Sequence, residues 1–175
     1  MSKDEILFNS KYITVKKRDK WYELSSANGS NEMVAVIMRS ASGRYLVRYE
    51  NCPPYYQKGK DKMSMVALTG MKEPNESPLK AVTREILEET GILRKYYIIK
   101  YKGWVFSNKQ SDLKIHLFIA HEKFTRKLWN KKVFTGIGDG TKGEVGSYAK
   151  WISLRTAKTS KCGILKMLLA LSWNN

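Results

Sequence analysis

Hydrophobic positions along this chain recur with two periods, and the changes between them mark out the elements. In "KYITVKKRDKWYEL" (11–24) apolar and polar residues alternate loosely and break at Arg18-Asp19-Lys20, which predicts an N-terminal antiparallel hairpin. "EMVAVIMRS" and "RYLVRYE" flank a Ser-Gly step, the pattern of two strands joined by a tight turn. The paired prolines of "CPPYYQKGKDK" (52–62) predict a loop, and "MSMVAL" (63–68) a short strand running to Gly70. Leu79, Val82 and Ile86 then follow the helical period, after Ser77 as a good N-cap and Pro78 at the first helical position. Thr90-Gly91 is a stop, since glycine takes the left-handed closing conformation without strain. "YYIIKYKGWVF", "LKIHLFIA" and "SYAKWISL" read as strands, and "SKCGILKMLLALSW" as a closing helix with one apolar face. Strands with one central and one final helix predict an α/β domain with a mixed sheet, not a regular βαβ repeat. No repeat, low-complexity tract or long linker interrupts it, so residues 1–175 read as one domain, with 1–30 as N-terminal strands.

Composition narrows the class. Hydrophobic residues make up 42% and aromatics 11%, a globular balance rather than a disordered one. No apolar run approaches the roughly 18 residues that a membrane span needs. The N-terminal stretch is charged throughout and has no apolar signal core, which argues against export and for a cytoplasmic location. Cys52 and Cys162 lack metal-ligand spacing and read as two reduced thiols. The formal charge is +16 and unevenly placed. Between Gly70 and Ile92, five acids (Glu73, Glu76, Glu85, Glu88, Glu89) face three bases (Lys72, Lys80, Arg84), a net of −2, which leaves +18 for the rest. A basic body around an acidic spot suits an anionic substrate beside a bound cation, although surplus lysines also simply favour solubility.

The acidic spot is the informative one. On a helical wheel at about 100° per residue, Glu88 and Glu89 fall within about 60° on either side of Glu85. Leu79, Val82 and Ile86 form a separate stripe, and small Ala81 shares the acidic face. Like charges at these spacings destabilise a helix by about 0.2–0.5 kcal/mol each. Glu88 and Glu89 also face the negative end of the helix dipole, at about 0.3–1 kcal/mol each. An exposed acidic surface is one reading. A divalent cation ligated through oxygen is the other, with Mg²⁺ the usual ion where phosphate is a further ligand.

"GMKEPNESPLKAVTREILEETGI" decides between them. It resembles the Nudix box of the Nudix hydrolase family at every fixed position: Gly70, Glu76, Arg84, Glu85, Ile86, Glu88, Glu89, Gly91 and Ile92. The resemblance implies a mixed sheet between helices, an α/β/α sandwich. It implies that Glu85, Glu88 and Glu89 ligate Mg²⁺ or Mn²⁺, with the Gly70 carbonyl as an additional ligand. It further implies that Arg84 orients Glu85, that Glu76 ties down the loop before the helix, and that water attacks a phosphorus of a nucleoside diphosphate derivative.

Residues outside the box resemble the ADP-ribose pyrophosphatase branch. The leading hairpin with "WYEL" is similar to strands that build a homodimer there. "YLVRYENCPP" is similar to a strand and loop that would bring Arg48 to a phosphate, and the glycine-rich 134–149 segment would supply Glu144 as general base. Leu68-Thr69 departs from the branch, which has proline-alanine there. Trp21 and Tyr22 are candidates to stack on the substrate's base, against an ordinary place in the core. His116 and His121 read as structural. Three functions follow for testing: a Mg²⁺-dependent pyrophosphohydrolase of ADP-ribose or a similar nucleotide sugar, one acting on an RNA 5′ end or a dinucleoside polyphosphate, and a non-catalytic nucleotide-sensing module.

Overall fold

A computed structural model describes residues 5–10, 13–26, 31–51, 63–123, 133–136 and 146–173. Its main sheet has seven strands. β4 (Glu32–Arg39), β5 (Tyr45–Glu50), β9 (Lys114–Glu122), β8 (Tyr97–Phe106) and β10 (Tyr148–Ile152) lie in the order β10-β5-β4-β9-β8. β6 (Ser64–Val66) pairs with β5, and β7 (Leu68–Met71) with β4. β4 and β9 run parallel, while the other pairs are antiparallel, so the sheet is mixed as expected.

Alternation along β4 gives the sheet two apolar faces. Val34, Val36 and Met38 point one way, with Leu46, Phe118 and Ala120, and receive Val82 and Ile86 of α1 (Pro78–Thr90). Ala35 and Ile37 point the other way, with Val47, Leu117 and Ile119, and receive Leu165, Leu168 and Leu169 of α3 (Gly163–Leu171). A single-turn helix, α2 (Leu154–Ala157), precedes α3 and is capped by Ser153. Helices on both faces make the α/β/α sandwich that the resemblance implied.

Several expectations are refined. The N-terminal hairpin is part of a three-stranded antiparallel sheet, β1 (Glu5–Asn9), β2 (Ile13–Arg18) and β3 (Trp21–Ser26). β1 went unread because its charged flanks hide a five-residue strand, all of it exposed. The stretch 63–71 splits in two at Ala67, since β6 and β7 serve different neighbours. Leu79 is solvent-exposed in the first turn of α1 rather than packed on the sheet, and Ala81 is fully buried in the core. Cys162 is a buried free thiol whose Sγ accepts from Leu165 N, while Cys52 and the 52–62 loop lie outside the described residues. Among the described residues no helix is long and apolar enough to cross a membrane.

Candidate active site

The helix carrying the glutamates is set in place at both ends. Ser77 Oγ accepts from Lys80 N at 3.3 Å, Pro78 follows at the first position, and Gly91 closes the helix at φ 70°. With Val82 and Ile86 locked into the core, Glu85 and Glu89 turn inward and are buried, and Glu88 is half-buried.

Their charges are balanced by two arginines. Arg84 spends all five N–H donors here. Nη1 donates to Glu85 Oε1 at 2.7 Å and Glu88 Oε2 at 2.9 Å; Nη2 donates to Glu76 Oε2 at 3.1 Å and the Met71 carbonyl at 2.9 Å; Nε donates to Glu76 Oε1 at 3.2 Å. The Glu76 hydrogen bonds, followed by the Glu85 charge, hold the guanidinium above its ordinary range. Burial alone would raise Glu76, but the Arg84 hydrogen bonds and the Glu73 amide prevail and hold its carboxyl below the usual range. Glu76 therefore ties the loop after β7 to α1 through Arg84, in keeping with the structural part the resemblance gave it.

Arg48 supplies the second counter-charge. It projects from β5 on the α1 face, with Nη1 2.8 Å from Glu89 Oε1 and Nε 2.9 Å from Glu50 Oε2. The Arg48 and Glu89 side chains are only 6% and 5% exposed, so the pair is desolvated. Sequence reasoning sought counter-charges on the helix itself and missed this one, because it comes from a strand some forty residues earlier in the chain.

Two glycines allow close approach here, Gly70 to a carboxylate and Gly136 to the backbone at the end of α1. A Cβ on Gly70 would lie 1.8 Å from the Glu85 carboxyl carbon, so only glycine lets that carboxylate lie against β7. A Cβ on Gly136 would lie 1.6 Å from the Glu88 carbonyl oxygen. Phe134, beside it, is buried in the core and bridges to Ala149. The 133–136 segment thus braces the end of α1 that carries Glu88 and Glu89. Gly136 was legible only as part of a glycine-rich stretch.

The remaining candidates fall elsewhere. Glu144 lies outside the described residues. Trp21 and Tyr22 are exposed, not core, and line a cavity of about 700 Å³ between the β2–β3 turn and the β8–β9 connection. His116 is buried between Tyr101 and Glu32, and His121 is on the opposite face of β9.

Two buried carboxylates and a half-buried third thus share one helix end, beside a glycine backbone and two arginines. The NUDIX domain model matches residues 31–167, and the chain belongs to that family. It is accordingly a hydrolase of phosphoric anhydrides, a pyrophosphohydrolase of nucleoside diphosphate derivatives in general, and the family works with a divalent metal such as Mg²⁺ or Mn²⁺. The matched span leaves β1, β2 and β3 outside it. No curated protein matches the chain in sequence.

The residues fit such an ion. The donors are hard oxygens, as Mg²⁺ and Mn²⁺ prefer. The Arg84 nitrogen already bridges Glu85 and Glu88 as a cation between two carboxylates. Among the described residues no three acidic, histidine or cysteine side chains converge as a ready-made cage.

Proposed function

We propose that this site hydrolyses the diphosphate of ADP-ribose or a similar nucleotide sugar, releasing AMP and ribose 5-phosphate. The observation that carries the reading is the Glu85 carboxylate, packed on Gly70 and held by Arg84 at 2.7 Å. Glu85, Glu88, Glu89 and the Gly70 carbonyl would hold Mg²⁺ or Mn²⁺. When bound, the ion neutralises the negative charge that develops on the diphosphate oxygens. Arg84 fixes the direction of the Glu85 and Glu88 oxygens, and Glu76 fixes Arg84. Arg48 pairs with Glu89 at 2.8 Å within a buried setting and is the proposed contact for a phosphate. Glu144 is the proposed base that takes the proton from the attacking water, and Trp21 and Tyr22 the proposed platform for a base. Water adds to one phosphorus, the bridging P–O bond breaks, and the bridging oxygen leaves with the other half.

Incubation with Mg²⁺ and a panel of nucleotide sugars and dinucleotides tests this, with Glu89→Gln as the blank. ADP-ribose should yield AMP and ribose 5-phosphate, and the blank should lose most of the rate with its fold intact. No turnover across the panel, or unchanged turnover in Glu89→Gln, rejects the reading. The intact box glutamates count against a purely sensing module.

Two partner readings have their own support. The exposed Ile6, Leu7 and Phe8 of β1 favour a second copy of the chain on the N-terminal sheet. Replacing Ile6 and Phe8 by lysine should then reduce the mass in solution toward 20.2 kDa. The charge of +16 favours an RNA 5′ end or a dinucleoside polyphosphate as a further substrate.

A further inference from the structure

Charge is divided between the two faces of the main sheet. Among the described residues its acids, with those of α1, stand on the α1 face. Glu32 meets Lys72, Glu50 meets Arg48, Glu122 lies across from Tyr97, and the α1 glutamates meet Arg84 and Arg48. The charged residues of the α3 face are all basic. Arg39 pairs with Tyr45, Lys100 with Ile119, and Lys150 with Val47, and those three partners belong to the core under α3. Cross-strand partners project from one face, so the three cations do as well. His121 stands among them as the partner of Arg39. Burial, then the Lys100, Arg39 and Lys102 charges, hold its imidazole below the ordinary range.

The segment that covers this face continues the pattern. From 145 to 175 the chain carries Lys150, Arg155, Lys158, Lys161 and Lys166 and no acid. α3 turns Leu165, Leu168 and Leu169 inward, so Lys166, Ala170 and Trp173, four and three residues apart, form its outer ridge. Trp173 is 59% exposed and Met167 38%. A groove of about 460 Å³ is lined by Lys158, Lys166, Leu169, Ala170 and Trp173. The Lys158 ammonium lies 4.5 Å from the centre of the Trp173 ring.

Exposed apolar side chains ringed by cations are how a peripheral helix lies on anionic lipid: the apolar groups enter the headgroup layer and the cations meet phosphates. The spread of charge suits a plane. Cations reach from edge strand β10 to edge strand β8, four strand spacings or about 19 Å. α3 stands about 10 Å above the sheet, so the sheet cations remain within about a Debye length of anything α3 touches. A nucleic acid would need rings open to stacking. Trp173 instead has the Lys158 ammonium over its ring, and Met167 and Ala170 beside it are aliphatic.

We propose that the α3 face rests on an anionic lipid surface, with Trp173 and Met167 in the headgroup layer and Lys158 and Lys166 on lipid phosphates. The helix lies on the membrane and does not span it. Such contact holds whatever diphosphate is cleaved on the α1 face, and it leaves the α1 glutamates turned away from the lipid.

Flotation of the full chain with vesicles tests it, using phosphatidylcholine alone and an equal mixture with phosphatidylglycerol. The chain should float with the mixture, not with phosphatidylcholine alone, and should detach as salt rises. Trp173→Ala should weaken binding about tenfold. Lys158→Ala with Lys166→Ala should weaken it about 25-fold, at about fivefold for each lysine. Two controls act on the other face. Trp104→Ala removes a similarly exposed ring there, and Lys80→Ala with Lys95→Ala removes as much charge; both should leave binding unchanged. All six side chains are exposed, so the core survives each change. Equal losses from the two faces mean that net charge alone attracts the chain, and overturn the proposal. Binding to phosphatidylcholine alone, or to neither vesicle, does the same. Capture of an RNA through Lys158 and Lys166 without flotation, or self-association without flotation that Trp173→Ala abolishes, gives the face another occupant and also overturns it.

Discussion

Two helices cover the two faces of one sheet and bury opposite kinds of side chain. α3 seals its face with Leu165, Leu168 and Leu169, which need nothing but removal from water. α1 buries Glu85 and Glu89 on the same helix that supplies Val82 and Ile86 to the core. Its charges are met by Arg84, which Glu76 holds, and by Arg48, and Gly70 leaves room for the Glu85 carboxylate. A fold that needed only stability would have used leucines on both faces. The difference makes α1 the candidate for the chemistry.

The sharpest way to break that contrast is to remove a clamp. Arg48→Ala leaves Glu89 buried without its partner and should lower the unfolding free energy by about 3–5 kcal/mol in urea titration. Adding Glu89→Gln to it should restore part of the loss. Leu168→Ala on the other face should cost about 2–5 kcal/mol and leave the rate per folded molecule unchanged. Gly136→Ala comes next. Its methyl meets helix backbone, which does not yield as a side chain would, and the expected loss is about 1–3 kcal/mol.

Glu76→Gln sharpens the comparison through pH. The folded value of Glu76 lies below its ordinary 4.5, so its stabilising contribution is complete above that pH and fades as pH falls through the lower folded value. The variant should be less stable by about 2 kcal/mol at neutral pH, with the gap closing below pH 4.5. A gap that persists in acid would mean that packing, not charge, is what Glu76 provides. Gly70→Ala should move stability least, by about 1 kcal/mol, because the Glu85 carboxylate can swing aside. The same displacement should lower turnover about a hundredfold, which separates the site from the scaffold.

Much of this was legible in the residues. Ser77, Pro78 and Gly91 bound α1 through local chemistry, and each does so in the structure. The β4–β5 turn followed from turn type, and the shared face of Glu85, Glu88 and Glu89 from the helical period, but not the burial of Glu85 and Glu89. What stayed hidden depends on partners distant in sequence. Nothing near Glu89 announces Arg48, and nothing in 63–71 says that β6 and β7 pair with different strands. The parallel β4–β9 pairing joins segments some eighty residues apart, and it alone brings His116 and Lys114 to Glu32.

The claim beneath all of this is that the α1 glutamates hold a divalent ion. Titrating Mn²⁺ while following the resonance of the free ion tests it on the folded chain, without any substrate. The wild type should deplete the free signal, and Glu89→Gln, with an unchanged circular dichroism spectrum, should bind at least about tenfold more weakly. Equal depletion by both proteins, or none by the wild type, would contradict it.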